Sequence, residues 1–118
     1  MGKLTTHILD TAHGTPAKGM RLRLFRLGAG GAETLLLATK TNDDGRIDAP
    51  LLADKDFKAG TYRIEFEAGK YFRRLGVELP KFPFFDVVTI HFGISDADSH
   101  YHVPLLVSPY GYSTYRGS

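Results

Sequence analysis

The sequence predicts an all-β sandwich. Apolar residues recur with period two over most of the chain, the runs that carry this period are short, and clusters rich in Gly and Asp separate them. Six to eight short strands joined by such turns read as a sandwich around one core.

The elements follow in order. "LTTHILD", residues 4–10, reads as a strand with His7 on the face of Thr5 and Leu9. The turn-rich "AHGTPAKG" follows, then "MRLRLF", which sets Met20, Leu22 and Leu24 against Arg21 and Arg23. Phe25 and Leu27 then switch face, so a bulge or strong twist is expected there. "TLLLATKT" is a further strand, bounded by the turns "GAGGAE" and "NDDGR". In "TYRIEFE", Tyr62, Ile64 and Phe66 alternate with Arg63, Glu65 and Glu67. "KYFRRLG" supplies about two helical turns after Gly69, the only sustained helical signal. "VVTIHFGI" repeats the strand alternation with Val88, Ile90, Phe92 and Ile94 on one face, and "HYHVPLLVS" is the last strand.

Composition bounds what such a sandwich can do. At 118 residues the chain is expected to be one domain, residues 1–118, with 42% apolar and 24% charged residues. The formal net charge is +2 and the Lys and Arg residues form no run, so no nucleic-acid partner is expected. No apolar stretch approaches the roughly 20 residues that span a bilayer, so no membrane partner is expected either. "MGKLTTHILD" lacks a secretory pattern and the final "RGS" is not a peroxisomal address, so the expected location is the cytoplasm. Cysteine is absent, which excludes disulfides, thiolate metal sites and a cysteine nucleophile.

Five histidines supply the chemical material. His13 lies in a turn and reads as solvated; His91 lies on the polar face of its strand and reads as a surface or interface residue. His100 and His102 differ by two, which in a strand puts them on one face roughly 6–7 Å apart. That pair raises a metal hypothesis with His7 as a third ligand, but no "HExxH" or similar spacing supports it, and no metal is expected. His7 alone reads as a structural histidine, and Arg46 in "TNDDGR" as a solvated charge beside Asp43 and Asp44. Pattern alone stops at a small β-sandwich with several histidines and identifies no reaction.

"LTTHILDTAHGTPAKG", "TNDDGR" and "HYHVPLLVSPYGYSTYRGS" carry a resemblance to the 5-hydroxyisourate hydrolase family, the transthyretin-like enzymes of urate breakdown. "GTYRIEFEAGKYF" is similar to that family's strand leading into its short helix. The resemblance implies a transthyretin-like sandwich of two four-stranded sheets with one short helix. It also implies a homotetramer, a dimer of dimers whose active sites lie where dimers meet. The implied activity is hydrolytic ring-amide opening of 5-hydroxyisourate without cofactor. By the same resemblance the catalytic residues are His7, Arg46, His102 and Ser118, and substrate is bound by His7, Arg46 and Tyr115. In that reading the two histidines orient and deprotonate water, Arg46 stabilises the oxyanion, and Tyr115 meets the substrate ring. The hydroxyl and carboxylate of Ser118 fix a histidine's tautomer. Which histidine is the base, and whether Arg116 serves structure or chemistry, stay open. His100 matches no catalytic position. A transthyretin-like small-ligand carrier is the alternative, but it has no use for His7, Arg46 and His102 together.

Overall fold

In the computed structural model, which describes residues 2–117, two sheets pack face to face. The chain forms β1 (Lys3–Asp10), β2 (Thr15–Pro16), β3 (Arg21–Leu27), β4 (Glu33–Lys40), β5 (Leu52–Ala53), β6 (Gly60–Glu67), α1 (Ala68–Arg74), β7 (Val87–Ile94), β8 (Tyr101–Ser108) and β9 (Gly111–Thr114). One sheet has the order β4-β3-β6-β7 and is antiparallel throughout. The other has the order β2-β1-β8-β9, and β5 adds a fifth short strand on the β2 side of β1. Its centre is the parallel pair β1–β8, with Thr5 opposite His102 and His7 opposite Pro104.

The alternation read from sequence is the one that builds the core. Tyr62, Ile64 and Phe66 of β6 are fully buried, as are Leu24 of β3 and Leu4 and Ile8 of β1. Full burial of a side chain of this size stabilises by about 1.5–3 kcal/mol, and only one register of each strand delivers it. The expected irregularity near Phe25 is present, but the extra residue lies on the neighbouring strand. Leu24 faces Leu37 and Phe25 faces Leu35, which leaves Leu36 of β4 as a bulge. On the outer face Phe25 then stacks under the Arg63 guanidinium, 4.4 Å from the ring centre.

Two local features depart from the expectations. The helix begins two residues earlier than "KYFRRLG" and ends in a Schellman motif, with Val77 N donating to Phe72 O at 3.0 Å and Gly76 N to Arg73 O at 2.9 Å. His13 is tied down rather than freely solvated. Its backbone N donates to Asp10 Oδ1 at 3.0 Å and its Nδ1 lies 2.6 Å from Asp10 Oδ2. Asp10 is fully buried, and Tyr71 Oη of the helix donates to the same Oδ2 at 2.8 Å. Burial and the Asp10 hydrogen bond push the Tyr71 phenol up, so it stays a donor. The carboxylate therefore joins β1, its following turn and the helix.

The chain from Gly45 to Leu51 runs along the edge of β1 between its pairings with β2 and β5. Ile8 N donates to Gly45 O at 2.8 Å, and Leu51 N donates to Leu4 O at 2.8 Å. Gly45 has φ +73, and a Cβ there would run into Ile8 O and come within 3.1 Å of Ala17 N. Gly14, also at positive φ, has open space around it. Gly14→Ala should therefore lose only the left-handed cost of about 1–2 kcal/mol. Gly45→Ala should lose at least roughly 1 kcal/mol more, because backbone must also move. Thermal unfolding of both variants at one protein concentration checks this; equal losses would show that the approach to β1 is not tight.

Candidate functional site

The outer face of the β1–β8 pair gathers the residues singled out in the sequence. In β1 the inward positions are Leu4, Thr6, Ile8 and Asp10, so Thr5, His7 and Leu9 point the other way. In β8, Tyr101, Val103, Leu105 and Val107 are buried and His102 lies half-buried on the outer side. Thr6 Oγ1, on the buried side, donates to Val103 O at 2.7 Å and helps lock the two strands in register. His7 and His102 are then diagonal neighbours on adjacent strands, about 7–8 Å apart at the backbone.

Arg46 reaches the same face through its turn. Asn42 Oδ1 accepts from Asp44 N at 2.9 Å and from Arg46 N at 3.1 Å, and Asn42 N donates to Arg46 O at 2.7 Å. This closed loop delivers Arg46 as the antiparallel bridge partner of His7. The aspartates beside it do not neutralise it: Asp43 pairs with Lys18 at 3.3 Å, and no ion pair among the described residues includes Arg46.

The tail arrives from the opposite side. β9 pairs with β8 through Leu105–Thr114, and the same register continues to an isolated bridge between His102 and Gly117. Tyr115 thus falls opposite Pro104, in the row of Arg46 and His7, with 60% of its surface exposed. Gly117 N donates to His102 O at 2.7 Å, and a Cβ on Gly117 would stand 2.7 Å from His102 Cδ2. The imidazole lies against that glycine, so no larger residue fits without displacing it. Arg116 points elsewhere. Its guanidinium sits 4.0 Å above the Tyr101 ring and donates to His100 O at 3.2 Å, a structural clamp on the start of β8. Ser118 lies outside the described residues.

The electrostatics single out His102. Desolvation by burial, then the Arg46 charge, then His7 hold its pKa below the ordinary 6.5, while a hydrogen bond to the Thr5 backbone opposes them. Thr5 Oγ1 and His102 Nδ1 are 2.8 Å apart. With Nδ1–H donating to Thr5, Nε2 carries the free lone pair. Thr5 was within reach of sequence reasoning, because it shares His7's face by period two. Gly117's contact with His102 was not, because it depends on a register set by the hairpin. His100 lies outside the strand and is exposed, whereas His102 is half-buried within it. Among the described residues, no group of three His, Asp or Glu side chains is placed to hold a metal ion.

Beside His102 opens a concavity of about 440 Å³ lined by Lys3, Thr5, Arg46, Ile47 and Ala49, with Thr6 at its base. Its lining contains two cations and no carboxylate, which suits electron-rich carbonyl oxygens. A larger cavity elsewhere contains none of the residues expected at the site.

Fold and site together define a class: a small β-sandwich with a transthyretin-like topology that presents a histidine–arginine cluster on the outer face of one sheet. A family model described as the HIUase/Transthyretin family matches residues 4–117, and the chain belongs to that family. It is 58% identical over 117 residues to "5-hydroxyisourate hydrolase 2" of Rhizobium meliloti, covering 99% of this chain and 97% of that protein. Among solved structures it superposes on 5-hydroxyisourate hydrolase of Klebsiella pneumoniae with a TM-score of 0.81 and 41% identity over the whole of both chains. It also superposes on an (S)-allantoin synthase with a TM-score of 0.93 and 47% identity, covering 99% of this chain but 44% of that one.

The His102 environment yields a direct expectation. In an NMR pH titration the His102 ring should titrate with a midpoint below 6.5. Arg46→Gln should move that midpoint upward, because it removes a charge that disfavours the imidazolium. An unmoved midpoint would remove Arg46 from the neighbourhood of the ring.

Proposed function

We propose that this protein hydrolyses 5-hydroxyisourate, opening its ring amide to give 2-oxo-4-hydroxy-4-carboxy-5-ureidoimidazoline in urate degradation. The observation that carries the reading is the His102 imidazole, half-buried, hydrogen-bonded to Thr5 and held below its ordinary pKa by burial, Arg46 and His7. Membership of the HIUase/Transthyretin family and the relatives named 5-hydroxyisourate hydrolase supply the substrate.

The chemistry follows from the charges. His102 Nε2 takes a proton from water as its oxygen bonds to the amide carbonyl carbon. The carbonyl oxygen becomes an oxyanion that Arg46 stabilises with its planar fork of N–H donors. Collapse breaks the ring C–N bond, and the imidazolium returns its proton to the departing nitrogen. His7 stands on the Arg46 side and orients the substrate, with Tyr115 closing over the ring. The tautomer-fixing role of Ser118 rests on the sequence resemblance alone.

The same reading has residues 1–118 as one domain, cytoplasmic, assembled as a dimer of dimers with sites at the dimer–dimer interface. No helix among the described residues is long and apolar enough to cross a membrane. The assembly is supported by the margin of the sandwich where β7 and β9 have free edges. Val87, Tyr110 and Tyr112 are exposed there, together with Phe84, which is 70% exposed. Phe84 packs on Tyr110 at 6.3 Å and Phe85 on Tyr112 at 5.2 Å, giving a continuous apolar margin of the kind that marks an interface.

Arg46→Ala should lower turnover by about 10²–10³. The measurement is the absorbance decay of 5-hydroxyisourate generated in situ from urate by urate oxidase. Near-full turnover by a folded Arg46→Ala protein would remove Arg46 from the chemistry, and no acceleration by the unaltered protein would remove the reaction itself.

A further inference from the structure

A second cavity, of about 790 Å³, opens at the other margin of the sandwich, between β4 and the segment 49–58. Its floor is apolar: Leu36 and Leu37 from β4 face Pro50, Leu51 and Leu52. The β4 bulge is what allows two consecutive leucines to line it, since residues next to each other in a regular strand point to opposite faces. Leu36 stays 39% exposed as a result, an apolar side chain turned into an open cavity rather than the core.

The rim carries Arg26, Lys55 and Lys58 against Asp54 and Asp56. No ion pair among the described residues includes any of these five. Arg26 is the best placed of the cations. Its Nη1 donates to Tyr62 Oη at 2.7 Å and its Nη2 to Ala59 O at 3.2 Å, and Tyr62 Oη in turn donates to Lys58 O at 2.7 Å. Tyr62 is fully buried, so this chain of bonds anchors the partly buried Arg26 with donors to spare and no ion-pair partner among the described residues. Asp54 turns the chain at the rim with φ 53, the only positive φ among the described non-glycine residues.

We propose that this cavity is a second ligand site, taking a small amphipathic organic anion. An apolar body of one or two rings lies on the leucine floor, and its carboxylate or sulfonate meets Arg26. The volume falls in the range of small-molecule pockets, and a fixed unpaired guanidinium beside apolar walls selects for charge as well as shape. The site is separate from the histidine cluster, although Ala49 lines both concavities from opposite sides of one strip of chain. It lies at the margin away from the β7 and β9 edges.

The test is methyl NMR on the full-length protein with labelled Leu and Ala, titrated with 1-naphthoate and with the neutral 1-naphthalenemethanol. Naphthoate should shift the methyls of Leu36, Leu51, Leu52, Ala49 and Ala53 in a saturable way and bind about tenfold or more tighter than the alcohol. Arg26→Gln should abolish that preference, and Leu36→Asp, at an exposed edge position, should weaken naphthoate binding about tenfold. Shifts confined to Leu106 on the outer face, no saturable shift up to millimolar naphthoate, or equal binding of the two probes would overturn the proposal. None of these readouts involves 5-hydroxyisourate, so they stand or fall apart from the hydrolase reading.

Discussion

Everything at the candidate site depends on the register of the parallel β1–β8 pair. Thr5 stands opposite His102 because Leu4, Ile8, Val103 and Leu105 must all face inward together. A slip of one residue in β1 would bury His7 and expose Leu4 and Ile8, at a cost of several kcal/mol. The core therefore fixes the positions of the polar residues on the opposite face. No dedicated scaffold for the two histidines is needed.

Two irregular segments then complete the cluster from either side. One brings Arg46 along the edge of β1, which requires a residue without a side chain at Gly45. The other brings Gly117 against His102, which requires the same for a different reason: room for a ring. The resulting electrostatics are mutually consistent. A cation and a second imidazole next to His102 disfavour its protonation, and partial burial acts in the same direction. In the proposed mechanism Arg46 thus serves twice, keeping the base free to accept a proton and offering charge to the oxygen that becomes negative.

Much of this was legible in the sequence, and the exceptions have physical causes. The long strands were readable because their inward residues alternate, as with Tyr62, Ile64 and Phe66. β5 and β2 were not readable: they are two residues each and exist only because β1 offers them an edge. β9 was missed because its turn is Pro109–Tyr110 rather than the Asn-Gly or Asp-Gly that announces a tight hairpin. His13 read as solvated because its partner, the buried Asp10, is a residue type seldom found inside unless paired. Of the site, His7, Arg46, His102 and Tyr115 were identified through the resemblance rather than from pattern. Period two could have added Thr5, whereas Gly117 depends on a hairpin register that no local signal encodes.

The proposed reaction requires His102 to act as a neutral base, and the pH dependence of kcat/KM for 5-hydroxyisourate decay tests that most directly. The required form is unprotonated, so activity should fall only on the acid side, with an inflection below 6.5 set by the depressed His102 pKa. A folded His102→Gln protein should lose most of its activity and that acid limb with it. An unchanged acid limb in His102→Gln, or an inflection above 6.5 in the unaltered protein, would contradict the account.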